Sequence, residues 1–200
     1  SAGNTSTMQT QVTVVQDYDE FGKQVSKTLY TKESADHLLK AGVYRGYYHD
    51  RQHLGIYLKA GQSFRIRIVN GAEFNDNLGL QLLNDDGVTE QGYTINKNGE
   101  WLTVVSDKNG NSYDSIPFIY SPTSKVQPIL EYQIGTDIEE LTLYHEGDGA
   151  EAEAEFFAKW DANQHGYVVL DCESTTFLIP RLDRNNIINN TLINCFISCN

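Results

Sequence analysis

The sequence predicts a mainly β protein: an antiparallel β-sandwich with one or two short helices and a C-terminal β-pair. Three observations predict it. From about residue 53 the apolar pattern has period two, as in Phe64, Ile66 and Ile68 against Arg65 and Arg67, which marks a strand with one face buried and one wet. Strand-like runs then recur at roughly 8–12-residue spacing between Gly, Asn and Asp turns, as in antiparallel sandwiches. Near residue 148 the period becomes helical, and two more strand-like runs follow before Pro180.

Residues 1–42 read as an N-terminal extension. Ser1, Ala2 and Gly3 resemble the scar of a cleaved tag and are set aside. Residues 4–28 alternate weakly and are expected to supply one peripheral strand. Residues 31–41 (TKESADHLLKA) predict a short helix, capped by Thr31 or Ser34 and ended by Gly42. The sandwich is expected over 43–145, after an aromatic and basic prelude at 43–52. Its strands are 64–68, ended by Asn70-Gly71; the run with Leu78, Leu80 and Leu82; 93–95; 101–105 after the Asn98-Gly99 turn; the run with Ile116, Phe118 and Tyr120; 129–134; and 141–144. Pro117 and Pro128 withhold ladder donors and push their runs toward edges or bulges.

Residues 146–184 predict a helix plus a short β-pair packed on the sandwich. Asp148 is the expected N-cap, and Glu151 and Glu153 suit the positive end of the helix dipole. Ala152, Phe156, Phe157 and Trp160 fall on one side, and Glu155 and Lys159 are an i,i+4 pair. The pair of strands is 167–170 and 176–179. Residues 185–200 read as a ragged, Asn-rich tail.

The net charge is −12, from 15 basic and 27 acidic residues. Such a surface repels phosphate backbones and anionic lipids, so no nucleic acid and no membrane insertion is expected. No apolar run approaches the roughly 20 residues that span a bilayer. Acidity of this kind keeps a secreted protein soluble. Cys172, Cys195 and Cys199 are too few for a disulfide framework, and two close thiols without a histidine make no closed zinc site.

No catalytic, cofactor-binding or metal-ligating residue is assigned. His145-Glu146 begins like a zinc helix, but H-E-x-x-H needs a second histidine at the position of Gly149, and Gly147 would spoil the helix. His37, His49, His53 and His165 lack ligand spacing. The loop from Asp107 to Asp114 sets oxygen ligands at alternate positions, as a calcium loop does, yet lacks the glycine and glutamate of an EF-hand; an Asx-rich hairpin turn is the competing reading. Tyr93, Trp101 and Tyr113 lie beside turns rather than inside apolar runs. With Asn109 and Asn111 they form a candidate carbohydrate-binding set, flat rings for sugar faces and amides for hydroxyls; a core role for each ring is the alternative.

Two stretches carry a resemblance. RQHLGIYLKAGQSFRIRIVN (51–70) has a basic pair, then L-G-I-Y-x-x-A-G, then an alternating strand. LTLYHEGDGAEAEAEFFAKWDANQHGYVVLDCESTTFLIPRLDR (141–184) has a short strand, a Gly-acidic turn, an acidic helix with F-F-x-x-W, then Y-V-V and F-L-I-P. In this order they resemble the segment preceding the zinc site in enhancin-like, mucin-degrading zinc metallopeptidases. The resemblance implies a non-catalytic, secreted or cell-surface β-sandwich, with zinc only in the catalytic part of the parent protein. It implies glycoprotein or mucin glycans, and that catalytic domain, as partners. A pure scaffold and a free-standing carbohydrate-binding or adhesin module are the rival expectations.

Overall fold

The computed structural model describes residues 12–16, 21–32, 50–108, 110–163, 166–172 and 175–189. The helix expected over 31–41 lies largely outside these residues, as do Asn109 and the end of the tail. The chain folds as stacked layers. A five-stranded sheet has the order β1 (Val12–Gln16), β2 (Lys23–Thr28), β12 (Ile129–Ile134), β5 (Ser63–Ile68), β8 (Leu102–Val105). Facing it is a four-stranded sheet of β3 (Arg51–His53), β11 (Ile116–Tyr120), β6 (Leu78–Leu83) and β7 (Gln91–Ile95). Pairing within both sheets is antiparallel throughout. Two small ladders, β4 (Ile56–Tyr57) with β13 (Glu139–Glu140) and β9 (Asp107–Lys108) with β10 (Asn111–Ser112), complete the sandwich.

The period-two pattern builds the first core. Phe64, Ile66 and Ile68 point inward from β5 and, with Leu130 and Tyr132 of the neighbouring β12, share one core with Leu78, Leu80 and Leu82 of β6. Arg65 and Arg67 therefore point outward. The sequence underestimates the N-terminal part: residues 12–28 supply two strands, and β2 is interior, paired with both β1 and β12. The boundary expected at residue 42 thus does not separate an extension from the sandwich. Pro117 also departs from expectation, because β11 lies inside its sheet between β3 and β6. The Pro117 carbonyl accepts from the Leu54 N–H, just past the end of β3. In an antiparallel strand a residue's N–H and C=O point the same way, so the missing donor faces the place where the partner strand has ended. Pro128 lies just before β12, outside the ladder.

The four-stranded sheet is covered on its other face as well. Ile116 and Phe118 of β11 meet Tyr167 and Val169 in a second core. These belong to a three-stranded sheet, β14 (Leu143–His145), β15 (Tyr167–Asp171) and β16 (Thr176–Pro180), in which β14 and β15 run parallel. The expected C-terminal pair is present as β15 and β16, and residues 143–145 join it as a third strand. Because β15 reads YVVLD, apolar at successive positions, it buries both faces. Val168 and Leu170 on its far side form a third core with Tyr144, Ile179, Phe156 and Trp160.

The last two come from helix α2 (Gly149–Asn163), so the helix rests on the triplet rather than directly on the sandwich. Ala152, Phe156 and Trp160 recur every four residues, one stripe on the helix. Glu155 and Lys159 pair at 2.8 Å on its exposed side. Beyond β16 the chain closes over the helix end: Arg181 donates to the Trp160 carbonyl at 2.6 Å, and Arg184 pairs with Asp161. Helix α3 (Arg184–Asn189) follows, in part of what the sequence suggests is a ragged tail.

Tyrosine hydroxyls tie the layers together. Tyr57 donates to Asp114 at 2.6 Å and accepts from the Gly166 N–H at 3.0 Å, while Tyr167 donates to Asp85 at 2.5 Å. Burial, followed by the Asp85 contact, pushes the Tyr167 hydroxyl up to about 12. Tyr167→Phe is expected to cost about 1–2 kcal/mol, since it removes a bond to a charged acceptor at the joint. Chemical denaturation checks this against Tyr113→Phe, whose hydroxyl does not bridge the layers.

Candidate functional site

The outer face of the five-stranded sheet is where half-exposed aromatic and charged side chains gather. On β5 the inward-pointing Phe64 and Ile66 leave Arg65 and Arg67 outside. On β8 the register Ile66 to Leu102 places Trp101 beside Arg67. The Arg67 guanidinium lies 4.5 Å from the centre of the Trp101 ring and forms a two-pronged contact with Glu131 Oε2 at 3.0 and 2.6 Å. Arg65 lies 4.2 Å from the Phe21 ring and 6.0 Å from Trp101. A half-exposed cation over an indole contributes about 0.5–1 kcal/mol, enough to hold the ring in place.

This face runs into a hollow at one end of the sandwich. Val69, which continues the Arg65–Arg67 stripe, lines it with Gly71, Ala72, Asn75, Lys97, Asn98 and Gly99; it is an open hollow of about 430 Å³. Two loops meet here. Asn75 holds a left-handed conformation at φ 56°, at the end of the short helix α1 (Gly71–Phe74) in chain order before α2. Lys97 Nζ then donates to Asn75 Oδ1 at 2.8 Å.

The four candidate glycan residues that are described, Tyr93, Trp101, Asn111 and Tyr113, do not form one cluster. Trp101 is on the outer face. Tyr93 points from β7 toward the first core, and its hydroxyl donates to the Val105 carbonyl at 2.7 Å and accepts from the Val105 N–H at 3.3 Å. It latches the edges of the two large sheets together. Tyr113 is half-buried behind the hairpin that carries exposed Asn111, with its carbonyl accepting from the Ser106 hydroxyl. The turn at 96–99 enters β8 and the loop at 106–112 leaves it, so Trp101 and the hairpin sit about 17 Å apart along the strand. Asn109 is outside the described residues. Arg65, Arg67 and Glu131, by contrast, escaped the sequence reading because only strand register brings them to Trp101.

The hairpin's acids are already engaged. Asp107 Oδ1 accepts from the Gly110 N–H at 2.9 Å, an Asx turn, and Asp114 accepts from Tyr57 and from the Ala60 N–H at 2.9 Å. Among the described residues no three His, Cys, Asp or Glu side chains are grouped to hold a metal ion. His145 ends β14, and Gly147 (φ 92°) and Gly149 (φ 87°) turn the following chain, which keeps HEGDG from being one helix.

A second polar group lies at the joint between sandwich and triplet. Asp171 accepts from the Thr176 hydroxyl at 2.6 Å, with His145 Nδ1 at 3.5 Å and His53 Nε2 at 3.8 Å. Burial holds His53 below the usual histidine range, against the pull of Asp171. Burial alone would raise the Asp171 carboxyl; the His53, Thr176 and His145 contacts outweigh it, and the carboxyl sits low. Both shifts act in one direction, giving stability that is present at neutral pH and lost on acidification, through His53 first.

Lys27 reaches this group from β2, its ammonium donating to the His53 carbonyl. The residue is 7% exposed, and burial lowers its pKa to about 8. Between about pH 8 and the unfolded value of about 10.4 the unfolded chain holds more protons, so stability rises with pH. From pH 7 to 9.5 the gain is expected to be about 2 kcal/mol, and absent in Lys27→Met. Urea midpoints of the two proteins across that window check it. The window closes near pH 10, where tyrosines raised in the fold, such as Tyr30 at about 12, reverse the slope.

Together these features define the chain as a layered β protein: an antiparallel sandwich with a small sheet and helix on one face, and an aromatic, cationic stripe on the other. Solved structures share this architecture. A functionally unknown conserved protein from Bacillus anthracis superposes with a TM-score of 0.60 at 9% identity, covering 82% of this chain and 31% of its own. A metallopeptidase in complex with Tn antigen gives 0.57 at 16% identity, covering 84% and 32%. The M60 catalytic domain of ZmpC from Clostridium perfringens, in complex with the sialyl T antigen, gives 0.56 at 12% identity, covering 80% and 36%. At these identities the likeness is one of fold, a partial match to M60 metallopeptidase modules. The chain spans about a third of the length of these structures. No protein-family model matches the sequence, and no curated protein matches it.

Proposed function

We propose that this chain is a non-catalytic accessory region of a secreted, enhancin-like (M60) metallopeptidase acting on mucin-type glycoproteins, and that its sandwich contacts glycan. The observation that carries the reading is Trp101, a half-exposed indole beside Arg67 on an outer sheet face, two residues along the chain from Gly99, which lines the hollow. A flat ring beside amide-bearing loops suits the C–H face and hydroxyls of a sugar. Asn75 and Asn98 at the hollow are nearer to that ring along the strands than Asn111 on the hairpin, so glycan contact centres on the Trp101 end. Tyr93, with its hydroxyl bonded to the backbone of β8, acts in this reading as support rather than contact. Zinc belongs to the peptidase part of such a protein, and HEGDG supplies no site for it. No helix among the described residues is long and apolar enough to cross a membrane.

Surface plasmon resonance over immobilised mucin glycopeptides tests the contact. A shallow face that must desolvate hydroxyls is expected to bind at roughly high micromolar to millimolar Kd. Trp101→Ala should abolish that signal with the thermal midpoint nearly unchanged, because the ring lies outside the core. If the wild-type chain binds no glycopeptide, the sandwich is a scaffold for the catalytic part.

A further inference from the structure

Arg65 is a cation with no acid partner among the described residues. Its neighbour Arg67 is matched to Glu131, but across the ladders Arg65 faces only Thr103 and Gln133, both neutral. Among the described residues no carboxylate lies within ion-pairing distance of it, and its Nε is buried without a hydrogen-bond partner. That is unexpected in a chain with 27 acidic residues and 15 basic ones. The guanidinium is also fixed in place, with the Phe21 ring at 4.2 Å and Trp101 at 6.0 Å.

The arrangement has a definite chemistry. A guanidinium presents a rigid, planar fork of donors that matches a carboxylate or sulfate in a two-pronged contact. Aromatic walls lower the local dielectric, which strengthens such a contact relative to open water. They also immobilise the side chain beforehand, so little rotamer entropy is left to lose on binding. The overall negative charge opposes an anion only weakly here, since fields are screened beyond about 8 Å at physiological salt. Glu131, two residues along β12 from the Gln133 that faces Arg65, is already matched to Arg67.

We propose that Arg65, framed by Phe21 and Trp101, is an anion subsite on the outer sheet face that takes the carboxylate or sulfate of an acidic sugar. The inference rests on the glycan-contact reading and sharpens it, assigning the Trp101 face a charged rather than a neutral glycan.

Three synthetic mucin-type glycopeptides, alike except for a terminal neutral, sialylated or sulfated sugar, test it with the full chain. Either acidic peptide is expected to bind roughly tenfold more tightly than the neutral one, and which of the two does so identifies the anion. The preference should shrink as NaCl is raised from about 0.05 to 0.5 M. Arg65→Gln should erase the preference while leaving neutral binding in place. Arg65→Lys, which keeps the charge but not the fork, should lose most of it, and serves if Arg65→Gln does not fold. Equal affinity for all three peptides, or a preference that survives Arg65→Gln, overturns the anion subsite while the glycan-contact reading stands. Binding to none of the three overturns both.

Discussion

Trp160→Ala is expected to cost about 3–5 kcal/mol, the largest single loss in this fold. The side chain is fully buried, 5.7 Å from Phe156 and stacked with Phe157 at 6.3 Å, under the Arg184 guanidinium. It is the last tooth of the Ala152–Phe156–Trp160 stripe, and a 15-residue helix is marginal by itself in water. Truncation removes apolar contact and leaves a cavity between α2 and β15 that the rigid sheet cannot close. Trp160→Phe should cost much less, about 1–2 kcal/mol, because the indole N–H is buried with no hydrogen-bond partner and its removal relieves that penalty. Chemical denaturation gives the ordering. Amide exchange should localise the alanine effect, with protection lost across β14, β15 and β16 before β5 and β12. Equal losses for alanine and phenylalanine, or an unchanged alanine midpoint, would mean the helix does not dock through this ring.

Gly71→Ala is the second large effect, expected at about 3 kcal/mol. A Cβ at Gly71 would stand 1.8 Å from the Lys97 carbonyl oxygen and 2.7 Å from its carbon. The obstacle is backbone, so no side-chain rotation relieves it, and the two loops around the hollow must part. Overpacking of a tight site costs typically about 1–3 kcal/mol, and a clash with main chain belongs at the upper end. Gly87→Ala is the control, since nothing lies within 4 Å of its Cβ. Urea midpoints should fall for the first and hold for the second. In the reading proposed for the outer face, Gly71→Ala should also weaken glycopeptide binding, because it deforms the hollow beside Trp101.

What the sequence made legible follows from how cleanly each element separates its faces. β5 alternates strictly, β6 does so up to Leu82, and α2 repeats every four residues, so both period and inward face could be read. β2 was obscured because its inward row is Val25, Lys27 and Leu29, and a buried lysine breaks the apolar rhythm. The stacking of three sheets was hidden for a different reason. β11 and β15 are apolar on both faces, which declares double burial but not what covers the second face. The parallel pairing of β14 with β15 depends on the helix between them turning the chain back, a tertiary event outside any window of residues. At the site, Trp101 stood out as an aromatic beside a turn. Its partnership with Arg67 and Glu131 comes from register among β8, β5 and β12. Tyr93 and Tyr113 looked alike in sequence and both are half-buried, yet Tyr93 packs against the first core and Tyr113 sits behind the 107–112 hairpin.

The central claim is that this region holds glycoprotein and leaves its cleavage to another part of the same polypeptide. The most direct measurement incubates the purified chain with a mucin-type glycopeptide and added zinc, then records retention on the chain and the peptide's mass. The account predicts weak, Trp101-dependent retention and an intact peptide. A chelator-sensitive cleavage product would contradict it.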